Sequence, residues 1–113
     1  MGMELPSLNR YELLWMIVLF DLPVIEKEER KAATDFRNFL LEHGFSMIQY
    51  SIYTKLFSGK DACGKYYTLI EKNLPKEGKV DILTITDKQY GNIISYNAHK
   101  KTEKKEPEQL LLF

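Results

Sequence analysis
An unbroken apolar run, Leu14 to Phe20, leads straight into a carboxylate at Asp21 and a proline at Pro23. A strand with one face in water alternates apolar and polar side chains. This one has no polar step, so both faces must be covered and its place is the middle of a sheet. The run is far short of the roughly 20 residues needed to cross a bilayer. Asp21 and Pro23 also stand where a signal peptide would carry its small-residue cleavage site, and Pro6 occupies the position at which a myristoylation motif has Ser or Thr. Cys63 is the single cysteine, which excludes an intrachain disulfide and a multi-cysteine zinc site and fits a reducing compartment. No histidine neighbours it in sequence, so it reads as a packed thiol rather than a nucleophile. The chain is expected to be cytoplasmic and to have no membrane partner.

The residues after Pro23 change period. Ile25, Ala32, Phe36, Phe39 and Leu40 fall on one stripe at about 100° per residue, which predicts a helix from Ile25 to His43 with Glu26, Glu28 and Glu29 at its dipole-favoured start and Gly44 as its stop. Phe45 to Phe57 is β-branched and aromatic and reads as one bent strand or two short ones. Asp61 to Leu74 forms a second helix presenting Tyr66, Tyr67 and Ile70, ended by Pro75 and Gly78. Val80 to Asp87 is a further strand and Asn92 to Asn97 a weaker one. Residues 99–109 are a charged stretch, and the chain closes on four apolar residues, 110–113. With 113 residues there is enough chain for one core.

The order of elements fits an α+β, ferredoxin-like βαββαβ sandwich with both helices on one face of an antiparallel sheet and an additional C-terminal strand. The domain is expected over residues 13–96, after a leader over 1–12 and before a charged tail over 97–113. The apolar terminus of that tail would be an aggregation hazard if left free, so it is expected to add to a sheet edge of its own or of a second subunit.

Sixteen basic and sixteen acidic residues cancel, so nucleic-acid binding has to be read from local charge. On the first helix Lys27, Arg30 and Arg37 share one flank of the apolar stripe and Glu28, Asp35 and Glu42 the other. The basic flank could hold phosphate backbone; the plainer alternative is a solvated helix with weak local pairs. Asp21, at the end of the first strand, is a hard oxygen ligand suited to magnesium or manganese, and such a metal would polarise a phosphate and activate water. One carboxylate is too few, so a symmetric dimer would have to supply a second copy of Asp21. The competing reading is an Asp that opens a turn before Pro23. His43 reads as a dipole-complementing cap, and neither it nor His99 has a partner spaced for zinc or a triad. Lys100, Lys101, Lys104 and Lys105 could touch nucleic acid or simply solvate a linker. Tyr50, Tyr53, Tyr66 and Tyr67 could stack on bases, but are expected mostly in core or interface.

Taken together, "VLFDLP", "EERKAATDFRNFLLEHGF", "MIQYSIYTKLF" and "VDILTITDKQYG" resemble, in order and spacing, the CRISPR-associated protein 2 family, particularly the versions found with single-effector systems. The resemblance covers roughly Trp15 to Tyr96. It implies a ferredoxin-like homodimer that takes part in spacer acquisition with an integrase partner, CRISPR-associated protein 1. In some members it implies magnesium-dependent phosphodiesterase activity on DNA or RNA. The aspartate that ends the first strand is the family's metal ligand, and it maps onto Asp21, which becomes the expected catalytic and metal-binding residue. Phe20 departs from the tyrosine of many members, the leader is longer than usual, and the tail after Tyr96 does not align with the family's pattern. Two functions follow from the likeness. One is a DNA-binding subunit of the integration complex with metal-dependent endonuclease activity; the other is a non-catalytic scaffold that bridges integrase dimers. A small-ligand regulatory module on the same fold lacks any glycine-rich or polar pocket signature.

Overall fold
The computed structural model describes residues 12–102; the leader, except Glu12, and the apolar terminus lie outside the described residues. The apolar run becomes strand β1, Leu13–Asp21. It is followed by helix α1, Lys27–Glu42, strands β2, Ser46–Gln49, and β3, Ile52–Ser58, helix α2, Lys60–Glu71, and strand β4, Lys79–Thr86. A five-residue helix α3, Asp87–Gly91, and a hairpin of β5, Ser95–Asn97, with β6, Lys100–Thr102, complete the described chain. The main sheet is antiparallel with the order β2-β3-β1-β4, which is the ferredoxin-like βαββαβ arrangement.

β1 is central, as its composition demands, and its two faces have different covers. Leu14, Met16 and Val18 are buried with Phe36 and Leu40 of α1, Cys63 and Ile70 of α2, and Phe45, Tyr53 and Phe57, with Phe20 packed against the same cluster. The alternate residues Trp15 and Ile17 are buried on the other face with Tyr90 of α3, flanked by Leu19, Ile52, Leu56 and Ile85. Trp15 and Tyr90 stack with ring centroids 4.0 Å apart, and the Trp15 indole donates to Asp87 Oδ1 at 2.7 Å.

Two local expectations are corrected, and one left open between two readings is resolved. Ile25 does not join the apolar stripe. It precedes α1 and is 81% exposed, because its amide donates to the Glu29 carboxylate at 3.0 Å in the capping that starts the helix at Lys27. Phe45 to Phe57 is two strands, divided at Tyr50 and Ser51, with Ser51 at a φ of 62°. Asp87 starts α3 instead of ending β4, since Thr86 Oγ1 accepts from Gln89 N at 3.1 Å while Gln89 Oε1 accepts from Thr86 N at 2.8 Å. Among the described residues no helix is long and apolar enough to cross a membrane.

Candidate functional site at the end of the central strand
β1 delivers Asp21 to the rim of the sheet. On one side Phe20 N donates to Ser51 O at 3.1 Å, which ties the β2–β3 turn to the strand end. On the other, Asp21 is in register with Lys79, and Leu19 with Asp81. Directly opposed residues share a face, and side chains alternate along a strand. Asp21, Lys79, Leu19 and Asp81 therefore all lie on the α3 side of the sheet, away from α1 and α2. Together with Phe20, Tyr50, Ser51 and Ile52 they line a shallow depression of about 400 Å³.

The backbone beneath the carboxylate is held by close packing. Gly78 has a φ of +97°, and a Cβ placed on it would lie 2.8 Å from the Asp21 carbonyl oxygen and 2.7 Å from Leu22 Cδ2. The chain can pass there only without a side chain.

Asp21 is exposed and, among the described residues, makes no ion pair. The neighbouring Lys79 ammonium lies instead 3.6 Å from Asp81. The site's charged groups are thus two carboxylates and one lysine at a sheet rim. Among the described residues no three His, Cys, Asp or Glu side chains converge as a metal-ligand group.

The three basic residues expected to meet phosphate sit apart from this depression. Lys27 is exposed in the first turn of α1. Arg30 Nη1 donates to the Ile25 carbonyl at 2.5 Å and to that of Val24 at 3.4 Å, so it braces the loop that follows Asp21. Arg37 lies near the buried Tyr53 hydroxyl, whose pKa is raised by burial and lowered in part by the Arg37 charge, with a smaller upward push from Tyr50. On the opposite flank Lys31 pairs with Asp35 at 2.8 Å on the surface. His43 Nδ1 lies 2.8 Å from the Phe39 carbonyl, consistent with a capping role.

Sequence reasoning had singled out Asp21 but not Lys79, Asp81 or Ser51, which only the β1–β4 register and the β2–β3 turn bring to it. Tyr50 stood among the possible stacking residues with no sign that it was exposed. The charges of "KVD" and the aromatic residue of "QYS" are visible in the sequence, and no local pattern ties them to Asp21.

The family model for CRISPR associated protein Cas2 matches residues 14–93. A protein of Paracidovorax avenae named CRISPR-associated endoribonuclease Cas2 is 46% identical over 107 residues, covering 94% of this chain and 99% of its own. Relatives bearing the same name in Flavobacterium psychrophilum and Streptococcus mutans are 40% and 39% identical, covering 92% and 87% of this chain and 90% and 92% of their own. With a family match from the central strand through α3 and near-full-length relatives at this identity, the chain belongs to the CRISPR-associated protein Cas2 family.

Proposed function
We propose that the chain works as a homodimeric, nucleic-acid-binding subunit of CRISPR spacer acquisition, alongside the integrase partner, and hydrolyses phosphodiester bonds at paired Asp21 residues. The observation that carries this reading is the position of Asp21. An unpaired carboxylate stands at the edge of an apolar sheet face that α3 covers only in part, leaving Leu13 and Leu83 exposed. A second copy laid on that face by a twofold axis would cover the apolar residues and bring two such acids toward one another.

The donor chemistry fits magnesium or manganese, which take hard oxygen ligands. Asp21 would hold the ion, with its partner copy completing a ligand set that one chain leaves short. Bound there, the ion supplies charge neutralisation at the scissile phosphate and an acidified water. The chain's own part is to fix the carboxylate through β1, Gly78 and the Ser51 contact, and to offer Lys79 as a cation beside the phosphate. The names of the relatives favour RNA as the strand cleaved, and DNA duplex as the strand held during acquisition is the second substrate to test.

Cleavage of labelled RNA and DNA is measured with and without chelator, for wild type and Asp21→Ala. The expected result is chelator-sensitive cleavage that Asp21→Ala abolishes while leaving the circular dichroism and the dimer mass unchanged. Absence of wild-type cleavage, with integrase binding and spacer acquisition intact in Asp21→Ala, replaces the enzymatic reading with the bridging scaffold.

A further inference from the structure
The β2–β3 turn places a large aromatic side chain in water beside the candidate site. Tyr50 is 89% exposed, although the aromatic residues of the strand that follows it, Tyr53 and Phe57, are buried. An exposed tyrosine is unremarkable by itself. This one lines the same depression as Asp21 and Lys79, on a turn fixed by the Phe20 to Ser51 hydrogen bond and by the left-handed Ser51. Its position is therefore set by the same strand end that sets the carboxylate. Acid, lysine and aromatic ring thus line one depression at the end of the sheet.

A phosphate placed at Asp21 and Lys79 leaves its attached nucleoside within reach of the turn. An aromatic ring offers a flat face to any unpaired base, whereas a base inside a duplex is already stacked and cannot use it. Resting on the hydrolytic reading of Asp21, we propose that Tyr50 is the base-stacking platform of this site, receiving the unpaired nucleobase next to the phosphate at Asp21 and setting a preference for unpaired over paired strands. Lys79 meets the backbone beside the phosphate and contributes the salt-dependent part of binding.

The test is a binding measurement made in chelator, so that it is independent of hydrolysis. The probe is a short single-stranded RNA carrying 2-aminopurine, used alone and annealed to its complement, with the full-length protein. Wild type is expected to quench the 2-aminopurine of the single strand. Tyr50→Ala should lose the quench and bind the single strand roughly 5- to 150-fold more weakly, the worth of one base stacked on a ring, with duplex binding changed by less than about twofold. Tyr50→Phe, which keeps the ring, should behave as wild type. The proposal is overturned if Tyr50→Ala still quenches, if it weakens single strand and duplex equally, or if Tyr50→Phe fails as badly as Tyr50→Ala. Circular dichroism of the variants checks the fold. Failure of the hydrolytic reading shows separately, as undiminished cleavage by Asp21→Ala.

Discussion
Gly78 and Cys63 show how much single positions decide. In the sequence Gly78 reads as part of a helix stop. In the fold its left-handed φ and its approach to Asp21 and Leu22 make it the floor of the site. Gly78→Ala is expected to destabilise the protein by at least about 1–2 kcal/mol, the cost of forcing an L-residue into that conformation, measured by urea unfolding. The inserted methyl should also lower cleavage by moving Asp21. Cys63, on α2, is buried against the sheet, and burial pushes its thiol above the ordinary 9.0, a hydrogen bond with Thr84 opposing the shift. Burial likewise raises the Tyr53 phenol above 10.0. Both groups hold their protons more tightly folded than unfolded. The stability they contribute is complete below their ordinary values and is lost as pH rises, because the unfolded chain ionises first. Unfolding free energy should therefore fall on going from about pH 8.5 to 10.5, by at most about 1.4 kcal/mol per pH unit for each group. The slope should be shallower in Cys63→Ala. Of the site, Asp21 was legible because a proline two residues on marks where a buried strand must stop, whereas Gly78 was legible only as a breaker, since a close approach is a property of two segments.

At the scale of elements, the sequence period placed β1, α1 and α2 within a few residues and missed α3. "VDILTITD" carries the alternation of a strand to its end, and five residues are too few to show a helical stripe. The available signal was the spacing of Thr86 and Gln89, a capping pair at the first and fourth positions that needs no stripe. α3 matters because it caps Trp15 and Ile17, which the two long helices cannot reach. Thr86→Ala is expected to cost about 0.5–2 kcal/mol, the usual loss for a missing N-cap side chain. Since the Trp15 indole stacks on Tyr90 and donates to Asp87, loosening α3 should wet the ring. A red shift and faster quenching of the single tryptophan's fluorescence, at a denaturant concentration where far-ultraviolet ellipticity is unchanged, checks the outcome. The β5–β6 hairpin was the other partial reading. Its first strand shows in the apolar residues before Asn97, but Lys100, Lys101 and Thr102 look like linker because their pairing depends on a reversal at left-handed Ala98 and His99 that composition does not announce.

Across the whole molecule, one chain covers the middle of β1 on both faces and leaves apolar residues open on the α3 side of the sheet. α1 and α2 take the face of Leu14, Met16 and Val18, and α3 takes Trp15 and Ile17. Leu83, in register with Ile17, is 51% exposed, and Leu13, on the same face at the start of β1, is also open. Hydrophobic area of this kind is stabilised by covering it, at about 25 cal/mol per Å², and in the proposed dimer a second copy would be that cover and would also duplicate Asp21. Leu83→Arg places a charge on the open part of that face without touching the α1–α2 core. If the face joins two copies, light scattering should move from the mass of two chains to that of one, with circular dichroism retained. Chelator-sensitive cleavage should fall with the dimer, because the variant keeps each Asp21 but separates the pair. A monomeric Leu83→Arg protein that cleaves at the wild-type rate would show that one Asp21 suffices, and an unchanged dimer would place the interface on another surface.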